Sequence, residues 1–252
     1  MAEKMEEAKV KSLYKALKLL DYFVNPPYEW GVTEIAVKAN LPKSSVYNIF
    51  STFVQYGMLE YNDSTKKYYL GYKTAELGSR FKQNNSLVSV MRPLIEALSE
   101  ETKECVYLGK LMDNSVLYLD VVYPQSSMGG NIVGTKAPLY CTGIGKALLS
   151  QADNRLINQV ISSPLKPYTP DTICDQEQLL MEINRIRKLG YAVDNMEHEF
   201  GVKCVAVPLL NNNDVLVGAI SISGPSLRFP ETKIQEYAQK LLEISRTVRK
   251  YI

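Results

Sequence analysis

Apolar residues recur at helical intervals three times near the start of the chain. Val10, Leu13, Tyr14, Leu17, Leu20 and Val24 mark the first stripe, which Pro26 and Pro27 terminate. Ile35, Ala36 and Ala39 mark a shorter second helix, with Thr33 as its expected N-cap. The tight turn Asn40-Leu41-Pro42 precedes a third stripe, Val46, Ile49, Phe50, Phe53 and Val54, closed by Gly57. A short helix, a tight turn and a second helix form a helix-turn-helix. The following segment, MLEYNDSTKKYYLGY, predicts two short strands around a turn at Asn62-Asp63-Ser64-Thr65. That hairpin is a wing, with Lys66 and Lys67 placed just past its tip to meet phosphates.

With that stripe inside, the third helix turns Lys43, Ser44, Ser45, Tyr47, Asn48, Ser51, Thr52 and Gln55 outward. Short hydrogen-bonding side chains let a helix lie deep in a major groove, and Asn48 suits an adenine edge. The competing interpretation is a merely solvated polar face, although such faces are usually richer in Glu, Lys and Arg. Ten lysines, no arginine and eight acids occupy residues 1–75, so the unit is only weakly basic. Firm binding to double-stranded DNA would then require two copies.

From Thr74 to Thr102 the pattern is helical again, interrupted at Gln83-Asn84-Asn85-Ser86, with Ser86 as the expected N-cap. The predicted division is 1–72, a winged helix-turn-helix domain; 73–86, a linker helix; and 87–252, a second domain. Leu77 and Phe81 in the linker either pair protomers or pack on the winged domain. Beyond it, Cys105–Gly109 and Val116–Val122 alternate as strands around an Asp113-Asn114 turn. Helices are predicted at Gly143–Ser150, Asn154–Ser162 and Gln176–Leu189, and strands at Lys203–Leu210 and Val215–Ser223. Pro230 opens a last helix with Ile234, Ala238, Leu241, Leu242 and Val248 on its apolar face. The expected fold class is α+β, with an antiparallel sheet and flanking helices.

Composition narrows the function classes. A chain of 252 residues with 46% hydrophobic content can build two cores, and a net charge of +2 demands no polyanionic partner. No apolar run approaches the ~20 residues of a membrane span. The charged start, MAEKMEEAKVK, lacks a signal-peptide core, so a cytoplasmic location is expected. The four cysteines, Cys105, Cys141, Cys174 and Cys204, include no CxxC pair. Any hydrolytic triad would have to use the single histidine, His198.

Five stretches carry a resemblance: LPKSSVYNIF, YCTGIGKALL, PLKPYTPDTI, GYAVDNMEHEFGVKCVAVPL and GAISISGP. In residues, order and spacing they resemble the IclR family of bacterial transcriptional regulators, over about residues 11–250. The resemblance implies an N-terminal winged helix-turn-helix and a C-terminal effector-binding domain of GAF-like fold. It further implies homodimers or homotetramers acting on operator DNA, more often as repressors, under control of a small organic or sugar acid. Carried over by position, the effector residues are Gly143, Ile144, Asp194, Cys204, Ser221 and Ser223. Their chemistry suits an acid: amides at a helix N-terminus favour a carboxylate. Ser221 and Ser223, two apart on a strand, project to one side. Two positions depart from the family pattern. Asn48 and Ser51 stand where arginine is frequent, pointing to an A·T-tolerant operator, and Tyr140 replaces a frequent histidine.

The GK of TGIGKALL fails the phosphate-loop pattern at both ends, at Tyr140 and Ala147. Cys141, Asp194, His198 and Cys204 match no metal-ligand spacing, so neither metal nor cofactor is assigned. The alternative function is an enzyme turning over a small acid with Asp194, His198 and Cys204.

Overall fold

The computed structural model describes residues 8–124 and 132–252, in two compact units, Met1–Asn84 and Asn85–Ile252. Residues 1–7 of the charged start, on which the expectation of no signal peptide partly rests, lie outside the described residues.

The first unit runs α1 (Lys11–Leu20), a 3-10 turn (Asp21–Phe23), α2 (Val32–Ala39), α3 (Lys43–Tyr56), β1 (Leu59–Asn62), β2 (Lys67–Leu70) and α4 (Tyr72–Asn84). Its core gathers Leu19, Phe23, Trp30, Ile35, Val46, Phe50, Leu59 and Tyr68. The Phe50 ring is central, 5.6 Å from Phe23 and 4.9 Å from Tyr68 between centroids. Trp30 and Tyr68 exchange both backbone hydrogen bonds at 2.9 Å, which ties the entry to α2 onto the wing.

Several local expectations are corrected here. Most of the predicted stripe lies outside the core: Val10, Leu13, Leu17 and Val24 are exposed, Leu20 packs at the core's edge, and Leu19 and Phe23 are the buried residues. Periodicity locates an apolar face but not the surface that covers it. The N-cap of α2 is Gly31 rather than Thr33, and the Glu34 carboxylate accepts the Gly31 N–H at 2.7 Å. Val54 is exposed on α3. Gly57 ends that helix with φ of 80°, the left-handed conformation glycine adopts without strain.

The second unit opens with α5 (Ser86–Thr102), β3 (Cys105–Met112), β4 (Ser115–Val122), β5 (Lys136–Ala137), α6 (Gly143–Ser150), α7 (Asn154–Ile161) and α8 (Gln176–Leu189). It continues through β6 (Ala192–Asn195), β7 (Val202–Leu210), β8 (Leu216–Pro225) and α9 (Glu231–Val248). The strands form one antiparallel sheet in the order β5-β4-β3-β8-β7-β6. Asp113 and Asn114, at φ of 49° and 59°, make the left-handed two-residue turn that suits right-twisted strands. The expected N-cap of α5 moves from Ser86 to Asn85, whose side chain accepts the Val88 N–H at 3.1 Å. The short strands β5 and β6 have no sequence counterpart; each is too brief to show an alternation.

Alternation along the longer strands separates two cores. Val205, Val207 and Leu209 pack with α5 and α9, joined by Met91, Ile95, Ile220, Ile222 and Leu241. The intervening Cys204 and Ala206 face α6 and α8, with Ile144, Leu148, Leu179 and Ile183. Small residues on this second face let α6 approach the sheet closely, and that approach shapes the site below.

Trp30 is the single tryptophan and belongs to the core of the first unit, so its fluorescence reports that unit alone. Phe50→Ala should lower the unfolding free energy followed at Trp30 by about 3–5 kcal/mol, measured by denaturant titration. An unchanged midpoint would show that Phe50 does not hold this core together.

Candidate functional site

Two surfaces carry chemistry, one in each unit. On α3, Val46 and Phe50 anchor the helix inward, leaving Lys43, Ser44, Tyr47, Asn48, Thr52 and Gln55 exposed, with Ser45 and Ser51 half-buried. The Thr52 hydroxyl donates to the Asn48 carbonyl at 2.9 Å, one turn back along the helix. The Asn48 carboxamide has no hydrogen-bond partner among the described residues. A primary amide free in this way offers both a donor and an acceptor.

The wing lysines are less available than their positions imply. Lys67 reaches back to Glu34 at 3.0 Å, and Lys66 lies 3.6 Å from Asp63. Both pairs are solvent-accessible, and such pairs contribute about 0–1 kcal/mol. A phosphate can therefore displace either carboxylate at small cost.

In the second unit, strand register lays Cys105, Ser223, Cys204 and Asp194 in one row across β3, β8, β7 and β6. Tyr107 and Ser221 sit one step further along the same face. Helix α6 lies over this floor. A Cβ on Gly143 would stand 2.6 Å from the Cys204 sulfur, so only glycine permits the contact. Thr142 caps the helix, accepting the Gly145 N–H at 3.0 Å and donating to the Pro138 carbonyl at 2.7 Å. The result is a cavity of about 250 Å³ whose lining includes Gly143, Ile144, Asp194, Cys204, Ser221 and Ser223. The structure thus brings together all six effector residues expected from the sequence. Tyr107, Tyr118, Thr142 and His198 also line it. The alternating strand pattern predicts a face for the two tyrosines, but no motif marks them as pocket residues. Tyr140 belongs to a different, more open cavity of about 390 Å³, with Tyr168 and Gln159; its hydroxyl donates to the Lys166 carbonyl at 2.7 Å.

Behind the pocket lies a buried charge cluster that sequence reasoning missed. Lys146 of α6 is fully buried and ion-paired with Glu197, and its ammonium also reaches Glu182 at 3.2 Å. Burial raises Glu182, but Arg185 and Lys146 overcome it and hold that carboxyl below its usual range. Burial wins at Glu197, whose pKa is raised despite Lys146, and one Glu197 oxygen has no hydrogen-bond partner. The Glu197 N–H donates to Asp194 at 2.8 Å. Asp194, mostly desolvated and near the Glu197 charge, is pushed up to about 7. Thr169 and Thr172 pin the same loop by donating to the Met196 and Glu197 carbonyls at 2.7 and 2.5 Å.

The two buried cysteines are not poised for chemistry. Burial pushes both Cys141 and Cys204 up to about 12, which keeps them as neutral thiols. Burial lowers His198, whose ring packs 5.1 Å from Tyr168. Among the described residues, no three His, Cys, Asp or Glu side chains converge to hold a metal.

The raised Asp194 makes a signed prediction. Its carboxyl is harder to ionise folded than unfolded, where 3.8 is ordinary. Stability is therefore fully present below about pH 4 and is lost as pH rises through 7. Asp194→Asn should be relatively more stable than the parent at pH 8 than at pH 5, by differential scanning calorimetry. A constant difference would place the Asp194 carboxyl near its ordinary value.

Comparison with known proteins gives two family matches: the IclR helix-turn-helix domain over residues 12–63, and the bacterial transcriptional regulator IclR C-terminal domain over residues 80–250. The Escherichia coli HTH-type transcriptional regulator KdgR is 34% identical over 222 residues, covering 87% of this chain and 84% of that protein. The Thermotoga maritima IclR crystal structure is 33% identical with a TM-score of 0.71, covering 95% of this chain and 99% of that one. An IclR homologue from Microbacterium hydrocarbonoxydans, complexed with 4-hydroxybenzoate, superposes with a TM-score of 0.79 at 24% identity, covering 94% and 99%.

Proposed function

The chain belongs to the IclR family of transcriptional regulators, DNA-binding proteins with a small-molecule effector domain, and on that premise we propose that it is a repressor whose operator binding responds to a small organic or sugar acid. Family membership sets aside the enzyme alternative built on Asp194, His198 and Cys204, and the neutral Cys204 thiol agrees with this. The observation that carries the effector proposal is the cavity beneath the N-terminus of α6. There Gly143 and Ile144 line one cavity with Ser221 and Ser223. The Ser223 hydroxyl donates to the Lys203 carbonyl at 3.3 Å and Ser221 bonds the Cys204 thiol, weak contacts that a carboxylate at the helix N-terminus would replace.

On the DNA side, Lys43, Ser44, Ser45, Tyr47, Asn48, Ser51 and Thr52 enter the major groove in this proposal, with Lys66 and Lys67 against phosphates. The exposed Val10, Leu13 and Leu17 of α1, with Leu77 and Phe81 of α4, support assembly of copies into a homodimer or homotetramer. Two winged domains then read dyad-related half-sites of fixed spacing, and a modest reorientation on acid binding is enough to lose the operator. No described helix is long and apolar enough to cross a membrane, consistent with action on the chromosome in the cytoplasm.

The acid proposal is tested by thermal shift of the full chain against glyoxylate, pyruvate, gluconate, galacturonate and 4-hydroxybenzoate. A binder specific for the folded form raises Tm by mass action. A panel in which nothing raises it removes the proposal. On DNA, Asn48→Ala should weaken binding to the protein's own promoter by about 1–3 kcal/mol, while the salt dependence stays the same. Fluorescence anisotropy against random DNA measures both, and an unaltered preference would show that Asn48 reads no base.

A further inference from the structure

The pocket and the charge cluster behind it can be counted together. Around Asp194 stand Glu197, His198 and Glu199 from the following loop, Cys141 and Lys146 from the α6 segment, and Glu182 from α8 with Arg185 beside it. Cys204 of β7 and Tyr118 of β4 face it as neutral groups, and Lys136 at the rim is paired with Asp113 at 3.1 Å. Among the described residues, Lys146 is the fully buried cation of this group. Glu197 and Glu182 already engage it, and Arg185 adds bonds of 2.7 and 2.9 Å to Glu182. Among the described residues Asp194 forms no ion pair; it accepts the Glu197 N–H, the His198 backbone N–H also favours its charged form, and Lys146 acts on it from a distance.

An acid binding at the α6 N-terminus places a second carboxylate in the same 250 Å³ cavity as Asp194. Two like charges in so small a desolvated space do not both stay ionised. We propose that the pocket takes up its acid together with one proton held by Asp194, and so selects monocarboxylates over dicarboxylates. This rests on the acid-effector proposal above. The proton comes from solvent. One Asp194 oxygen keeps the Glu197 N–H, and the other becomes an O–H donor to the bound carboxylate. A dicarboxylate would need a second proton, because Lys146, the buried cation, is held by Glu197 and Glu182, and Lys136 stands at the solvent-exposed rim. Burial has raised Asp194 to about 7, so the proton is available near neutral pH.

The test is isothermal calorimetry of the full chain with glyoxylate, pyruvate, gluconate, galacturonate and 4-hydroxybenzoate, and with malonate and succinate. Each is run in two buffers whose ionisation enthalpies differ, MES and bis-Tris at pH 5.5, and phosphate and Tris at pH 7 and 8. Proton uptake should approach one per bound monocarboxylate at pH 8 and fall towards zero at pH 5.5. Affinity should drop about tenfold for each pH unit above the Asp194 pKa. Malonate and succinate should bind at least about tenfold more weakly than the best monocarboxylate at pH 8, the same factor as one unpaid proton. Asp194→Asn, permanently neutral, should remove both the uptake and the pH dependence; if that variant does not fold, the two-buffer comparison on the parent chain decides alone. A monocarboxylate that binds without proton uptake, or a dicarboxylate that binds better, overturns this inference and leaves the acid effector standing. Binding by none of the acids overturns the acid effector, and this inference with it.

Discussion

The effector domain is organised around one buried ammonium. Lys146 leaves α6 and is held by Glu197 from the pocket loop and Glu182 from α8. Taking a charge out of water costs several kcal/mol, and attraction to its partners repays this only when the geometry is closely maintained. Each of the three elements is therefore fixed relative to the other two. An apolar residue at 146 would fill the space without tying α6 to the loop. The same pairing leaves Lys146 acting on Asp194 only from a distance, and the Asp194 carboxyl lines the same cavity as the first residues of α6.

Close approach is the second condition. Helix α6 reaches the sheet because Gly143 lies against Cys204, and because Ala206 and Ala219 leave room beside it. The helix N-terminus then opens over Ser221, Ser223 and Asp194 instead of over solvent. The cavity is thereby lined with hydroxyl, amide and carboxyl groups, the property on which the proposed effector site rests.

The DNA-facing unit works with weaker forces. Its recognition helix carries a single cation, Lys43, and its wing lysines are already engaged by Glu34 and Asp63. Neutral hydrogen-bonding groups supply selectivity but little of the phosphate attraction that dominates affinity. In the proposed assembly, pairing of copies would restore affinity by doubling the contacts, and the exposed apolar residues of α1 would serve that purpose.

The sequence by itself determined most element types, the helix-turn-helix and wing, and the alternation that divides the second sheet into two faces. These follow from local rules of periodicity and turn chemistry, each expressed within a dozen or so residues. The six residues that meet in the cavity came instead from the resemblance to the IclR family, position by position. Tertiary structure alone decided which apolar face of α1 is covered, that Glu34 caps α2 and holds Lys67, and that Tyr107 and Tyr118 join the pocket wall. It alone decided the partners of Lys146, which read in the sequence as part of a failed phosphate loop. Glu182 and Glu197 lie 36 and 51 residues from that lysine. An ion pair across such a separation leaves no periodic trace, because only the packed sheet and helices bring its members within reach.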